Sequence, residues 1–307
     1  MCFNMVAVNP RHAKIIFDSL LDSMRVINDD GFSMWSYDPI VYIRTLDYEE
    51  FKQELTKVRR ARLMHVHFRA ASSGTVDIKN VHMWRIEMDG KYYYVSHNGY
   101  VSKYASYSYF SNSYYDYYGF YGRGRKLSFV DEERKREEEF IKSDTLQLVL
   151  NKDFQDAIFA RDWDMLDAVL DEVGFYGVMF LTNPEEIIAV ARGKPVHIHV
   201  SPITDILIFS NTDLRRNFGT VRKYGFTFSK PIMYTSLSDK VIVFDVRDMA
   251  VKETHALTRR QQDIHIYYGG YYIDDDDIWY FRTYREGEDD CSDSDGGRGT
   301  CKRGASR

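Results

Sequence analysis

The chain has 307 residues, 44% of them hydrophobic and 28% charged, with a net charge of −5. This is the make-up of a globular protein with room for one large domain or two small ones, and its acidic balance argues against broad nucleic-acid binding. No apolar run approaches the ~18 residues of a membrane span, and Phe3–Val8 is too short and lacks the basic leader of a secretory signal. A soluble, cytoplasmic protein is expected.

Phe3–Val8 reads as a buried strand. Arg11–Val26 carries Ile15, Ile16, Leu20, Leu21 and Met24 at helical spacing. The Asn28-Asp29-Asp30-Gly31 run is a turn, followed by a strand over Phe32–Tyr37, then Pro39 and an irregular segment. Tyr48–Val58 reads as a helix and Arg62–Ala70 as a strand. His82–Glu87 and Tyr92–His97 form a hairpin around Asp89-Gly90. Glu132–Lys142 is a charged helix, Asp144–Leu150 opens another, and Asp153–Ala168 continues helical. Strands then follow at Gly177–Thr182, Ile187–Arg192, Val196–Val200, Ile206–Ser210 and Val241–Val246. Strands that bracket helices in this order predict an α+β architecture: a four-layer αββα sandwich of two mainly antiparallel sheets.

Two stretches depart from globular composition. Tyr104–Tyr121 (YASYSYFSNSYYDYYGFY), closed by Gly122-Arg123-Gly124-Arg125, is low-complexity Tyr/Ser sequence. It reads as a surface insertion over residues 104–125, either a flexible excursion or an aromatic lid. From about Glu286 the chain loses every residue that could anchor a core. The expected organisation is a main domain over residues 1–255, an extension over 256–285 and a disordered tail over 286–307, which leaves no room for a second catalytic domain.

The three cysteines are Cys2, Cys291 and Cys301, without a CxxC pair or a disulfide framework. Cys2 has particular chemistry. Removal of Met1 would give one residue both a thiol and a free α-amine, and an amine with a pKa near ~8 can act as the base for its own nucleophile.

Four further segments follow in order: Arg69-Ala70-Ala71-Ser72-Ser73-Gly74, Asn80-Val81-His82, His97-Asn98-Gly99 and Ser143-Asp144-Thr145. With Cys2 they resemble the class II glutamine amidotransferase domain, whose pattern runs Cys after Met, R-x-A-[TS]-x-G, N-x-H-P, H-N-G and S-D-[TS]. His67 fits a further common position, and Asp30-Gly31-Phe32-Ser33 resembles the family's D-G or D-S turn. Asn183-Pro184 stands where the family has a D-P turn. The resemblance spans roughly residues 2–250 and implies the N-terminal-nucleophile (Ntn) hydrolase fold, L-glutamine as substrate and no cofactor or metal. The family usually works with a synthase domain or partner, so a separate ammonia-acceptor protein is implied.

The chemistry of glutamine calls for these residue types. A free amino acid presents an α-carboxylate, which suits the fork of Arg69, and an α-ammonium, which suits Asp144. Ser72 keeps the hydroxyl of a commoner threonine, and His82 joins the substrate-binding set. The resemblance implies that Cys2 attacks the side-chain amide while the Asn98 side chain and the Gly99 N–H receive the oxyanion. Three departures stand out. Phe3 replaces the usual glycine after the nucleophile, Met83 replaces the proline of N-x-H-P, and Asn28-Asp29 stands where a cation commonly steadies the nucleophile. The loss of that glycine and the Tyr-rich insertion favour a second reading, a catalytically degenerate binding protein on the same scaffold. A third is a metal hydrolase built on the H-x-H pairs His65/His67 and His197/His199, with no acidic ligands at matching spacing.

Overall fold

The computed structural model describes residues 2–15, 18–88, 90–104, 142–200, 205–214, 233–258, 269–273 and 279–283. It divides into two compact units, Met1–Arg260 and Gln261–Arg307. In the second, β14 (Gly269–Ile273) and β15 (Trp279–Thr283) pair antiparallel. The Tyr-rich insertion, the helix expected over Glu132–Lys142 and the tail from 286 lie outside the described residues.

The first unit holds two antiparallel sheets. One contains β1 (Phe3–Val8), β2 (Phe32–Tyr37), β3 (Val41–Thr45), β4 (Leu63–Phe68), β9 (Val196–Val200), β10 (Leu207–Ser210) and β11 (Met233–Leu237), in the order β11-β9-β10-β1-β4-β2-β3. The other contains β5 (Trp84–Met88), β6 (Lys91–Val101), β7 (Phe175–Thr182), β8 (Glu186–Arg192), β12 (Lys240–Asp245) and β13 (Ala250–Ala256), in the order β13-β12-β8-β7-β6-β5. Helices α1 (Asp18–Arg25) and α2 (Tyr48–Lys57) cover the first sheet. Helices α3 (Asp144–Val149), α4 (Lys152–Ala160) and α5 (Trp163–Glu172) cover the second. The αββα layering expected from the sequence is the observed one.

Strand alternation explains the layers. Along β1, Phe3, Met5 and Ala7 face the helices, while Val6 and Val8 join the core between the sheets. Along β8, Ile188 and Val190 face the helices and Ile187, Ala189 and Ala191 face the opposite sheet. Both faces are buried, so these strands read as continuous apolar runs. Helix α2 is set by Asp47, whose carboxylate accepts the N–H of Glu49 at 2.8 Å, and it buries Tyr48, Phe51 and Leu55 as one stripe. Phe51 packs on Phe32 and Phe68 with ring centroids 6.1 and 5.1 Å apart.

Several elements depart from the sequence reading. Residues 11–15 are not helical, because the Asn9 side chain bonds both Ala13 N–H (3.0 Å) and Ala13 C=O (2.8 Å), and Ile15 N–H goes to Arg59 C=O at 2.7 Å; the described helix spans Asp18–Arg25. The segment after Pro39 contains β3, whose outward Tyr42 and Arg44 bond the carbonyls of Met83 and Val81 at 2.9 Å each. The helix expected over Asp153–Ala168 is two, broken where Arg161 turns left-handed (φ 53°) and Asp162 caps the next helix. Strands β11 and β13 were not anticipated. His97-Asn98-Gly99 lies inside β6 rather than after it. Among the described residues no helix is long and apolar enough to cross a membrane.

Phe51 has no solvent exposure and stands at the centre of the α2 contact. Phe51→Ala should lower the unfolding free energy by about 3–5 kcal/mol, read by urea denaturation; a loss under about 1 kcal/mol would contradict this packing.

Candidate functional site

The site grows from the first strand pair. β1 and β4 run antiparallel with Phe3 opposite Phe68 and Asn4 opposite His67. That register carries Cys2 to the start of the segment after β4, where its Sγ accepts the Ala70 N–H at 3.4 Å and lies 3.6 Å from Ala70 C=O. Alternation turns Cys2 to the same side as Asn4, Val6 and Val8, the space between the sheets. Burial pushes its thiol above the usual value, opposed by the Ala70 N–H and the Arg69 guanidinium.

The Arg69 segment is locked by the Asp30-Gly31 turn. Asp30 N–H donates to Arg69 C=O (3.1 Å), Arg69 N–H to Gly31 C=O (2.8 Å) and Ala71 N–H to the Asp30 carboxylate (2.7 Å). Gly31 sits at φ +147°, and a Cβ there would lie 2.5 Å from Val81 Cγ2, so only glycine fits the turn. Arg69 is 2% exposed and closes the following loop by donating to Ser73 C=O (2.8 Å) and Thr75 C=O (3.0 Å).

That loop is tied to α3 on the far side. Asn80 donates to Thr75 C=O at 3.0 Å and accepts the Ser143 N–H at 2.9 Å. The Ser73 hydroxyl accepts the Asp144 N–H at 3.3 Å. Ser143 caps α3 by accepting the Leu146 N–H at 3.1 Å. Asp144 is buried, and its carboxylate accepts the N–H groups of Val101 (2.7 Å) and Thr145 (2.8 Å). Burial pushes its carboxyl upward, against those bonds and the Arg69 charge. Cys2, Arg69 and Asp144 therefore lie within one electrostatic neighbourhood. Ser72 is exposed; its neighbour Ser73 is the buried serine that reaches Asp144.

In the second sheet Asn98 pairs with Val178 and Gly99 with Gly177. Val178 belongs to the core between the sheets, so Asn98 faces the same space as Cys2. Asn98 is 2% exposed, and its side chain makes no hydrogen bond among the described residues. A Cβ on Gly99 would fall 1.8 Å from Tyr176 C=O and 2.7 Å from Gly177 Cα, so the close approach of β6 and β7 itself demands glycine.

Four buried histidines knit the two sheets. His65 meets Thr182 Oγ1 (2.8 Å), Ser96 Oγ (2.5 Å) and Asn4 Oδ1 (3.2 Å). His67 Nε2 donates to His97 C=O (3.2 Å), a carbonyl that can only accept. By the same logic His97 Nε2 donates to Tyr176 C=O (3.2 Å), leaving Nδ1 to accept the Thr145 hydroxyl (2.9 Å). His82 stacks on His67 with centroids 4.1 Å apart and accepts the His97 N–H at 3.4 Å. His82 thus braces the strands around the site. Burial holds all four neutral, His65 and His97 down to about 3. Among the described residues no three His, Cys, Asp or Glu gather as metal ligands.

Two contributors escaped the sequence reading. Lys194, in the turn after β8, lies 5.4 Å from the Tyr176 ring centroid; burial lowers its ammonium pKa, while its interaction with Cys2 raises it. Asn211 follows β10 and donates to Cys2 C=O at 3.1 Å. Gly-Lys-Pro reads as an ordinary turn, and no spacing in sequence links Lys194 or Asn211 to residue 2.

No protein-family model matches the chain, and no curated protein sequence matches it. Solved structures do. The glutamine phosphoribosylpyrophosphate amidotransferase of B. subtilis, complexed with ADP and GMP, matches over 84% of this chain and 50% of its own, at 12% identity and a TM-score of 0.46. The allosteric regulatory enzyme of purine biosynthesis matches over the same shares at 15% identity and a TM-score of 0.51. A glutamine aminotransferase class-II domain protein from Silicibacter pomeroyi matches over 83% of this chain and 99% of its own, at 12% identity and a TM-score of 0.41. The chain spans about half the length of the first two. At such identities the likeness is one of fold.

The neutral histidines set an acid limit on stability. Unfolded, His65 and His97 bind protons below their ordinary 6.5; folded, they resist until about 3. The unfolded state therefore holds more protons between these values, and stability falls as pH falls. Each contributes a slope of about 1.4 kcal/mol per pH unit. Urea denaturation between about pH 6.5 and 5, above the ordinary carboxylate range, should show this decline. His97→Gln should remove one proton's share of the slope, and a flat profile would contradict the assignment.

Proposed function

With the class II glutamine amidotransferase fold as premise, we propose that the chain is a glutaminase that uses Cys2, exposed by removal of Met1, to hydrolyse the side-chain amide of L-glutamine. One observation carries the reading. The Arg69 loop meets the Cys2 thiol at Ala70 and Asp144 at Ser73, so three well-separated parts of the sequence converge.

The α-amine of Cys2 takes the thiol proton, and the thiolate attacks the amide carbon. The oxyanion is received by the Asn98 amide and the Gly99 N–H, a type of donor whose removal costs about 10²–10³ in rate. The ammonium of Cys2 returns its proton to the departing nitrogen, ammonia leaves, and a glutamyl thioester remains. Water then cleaves the thioester, giving glutamate and restoring the thiol.

Arg69 supplies positive charge for the substrate's α-carboxylate. Asp144 receives the α-ammonium: a carboxylate offers about four lone-pair directions, and two are used by Val101 and Thr145. Lys194, whose ammonium interacts with Cys2, is the candidate for the cation that Asn28-Asp29 does not supply. His82 holds the strands around the site. The ammonia goes to an acceptor in a separate protein, the cytoplasm being the expected setting.

A degenerate binding protein is the competing reading, favoured by the upward push of burial on the Cys2 thiol. Intact mass and a glutamine-hydrolysis assay decide between them. The active protein should lack Met1, and Cys2→Ala should reduce glutamate release by at least about 10³-fold. A protein that keeps Met1 and releases no glutamate would leave the binding reading standing.

A further inference from the structure

Resting on that reading, we propose that Asn211 is the positioning residue of the Cys2 nucleophile. β10 borders β1 on the side opposite β4, and their strand pairing ends at Met5 and Ser210. Asn211 extends it. Its N–H donates to Asn4 C=O at 3.1 Å, its Oδ1 accepts the Asn4 N–H at 2.6 Å, and its Nδ2 donates to Cys2 C=O at 3.1 Å. One side-chain amide thus grips two successive rungs of the chain end. The next residue is fixed as well, because Thr212 N–H donates to Ser210 Oγ at 3.1 Å.

The need for such a clamp follows from the chemistry. Once Met1 is gone, Cys2 is tethered to the fold by a single peptide bond. Ala70 reaches its sulfur from the β4 side, but a thiol contact at 3.4 Å does not fix the backbone torsion that aims both the sulfur and the amine. The bond from Asn211 to the Cys2 carbonyl fixes that torsion. It acts only through Cys2 and touches neither the carboxylate nor the ammonium partner of the substrate. Its loss therefore falls on kcat and leaves glutamine affinity unchanged.

The test uses the full chain with Cys291→Ser and Cys301→Ser, so that Cys2 is its single thiol. Asn211→Asp keeps the acceptor for Asn4 N–H and removes the donor to Cys2; Asn211→Ala removes both. At the pH plateau of kcat, both variants should lose about 10²-fold in kcat with KM for glutamine within about two-fold, the cost of displacing a reacting group by about 1 Å. Iodoacetamide, which needs no aimed thiol, should alkylate Cys2 at least as fast as in the parent. Hydrogen exchange at the Asn4 N–H should quicken in Asn211→Ala and not in Asn211→Asp. Parent-like kcat in Asn211→Asp, or a raised KM at unchanged kcat, would overturn the proposal. A parent that hydrolyses no glutamine would sink the glutaminase reading instead. In that event Asn211 is judged by exchange alone, with unchanged protection of Asn4 in Asn211→Ala refuting the clamp.

Discussion

The antiparallel register between β1 and β4 is the constraint on which the rest depends. With Phe3 opposite Phe68, residue 2 can only arrive beside the segment that leaves β4, and its side chain can only turn into the space between the sheets. A slip of one residue would expose Asn4, Val6 and Val8 to the helices and draw Phe3, Met5 and Ala7 out of the Phe32/Phe51/Phe68 cluster. The aromatic packing behind the sheet therefore holds the thiol in front of it. The bulk of Phe3 is accounted for here: it is 1% exposed and packs on Phe68 with centroids 6.1 Å apart.

The layer between the sheets is built in two halves. Toward the ends of β1 and β2 remote from Cys2 it is apolar, with Val8, Leu63, Trp35, Phe180 and Ile187 in one cluster. Toward Cys2 it turns polar, with Asn4, His65, His67, His82 and Ser96 all buried. A buried polar network is costly where its members are unsatisfied. Here the histidines remain neutral: His65 and His97 bond hydroxyl, amide and carbonyl groups, His82 accepts a backbone N–H, and His67 Nδ1 and Asn4 Nδ2 are left without a hydrogen-bond partner among the described residues. The network gives rigidity without a buried charge competing with Arg69 and Asp144. The fold thus brings Arg69 and Asp144 to one loop and keeps the imidazoles out of their charge balance.

Much of this was legible in the sequence, for identifiable reasons. Strands buried on both faces announce themselves as apolar runs, and β1, β7 and β8 did so. The segments around Arg69, Asn98 and Asp144 stood out because they follow Cys2 in a fixed order. What escaped was whatever depends on tertiary pairing alone. β13 is mostly exposed and polar, and it is a strand because β12 pairs with it. β3 is a strand because β2 pairs with it, and its Tyr42 and Arg44 find carbonyl partners across the chain. Adjacent serines cannot be phased by sequence: Ser72 is exposed and Ser73 buried. Asn211 and Lys194 lie about 200 residues from Cys2, in turns with no periodic signature, and only the strand order brings them near.

The central claim is that Cys2 is a nucleophile presented to a bound amino acid. It is tested most directly by covalent capture: an electrophilic glutamine analogue is added to the full chain, and the modified peptide is mapped by mass spectrometry. The account predicts one adduct per chain, on Cys2, suppressed by L-glutamine and not by L-glutamate amounts too small to occupy the site. An unmodified Cys2, or labelling confined to Cys291 and Cys301, would contradict it.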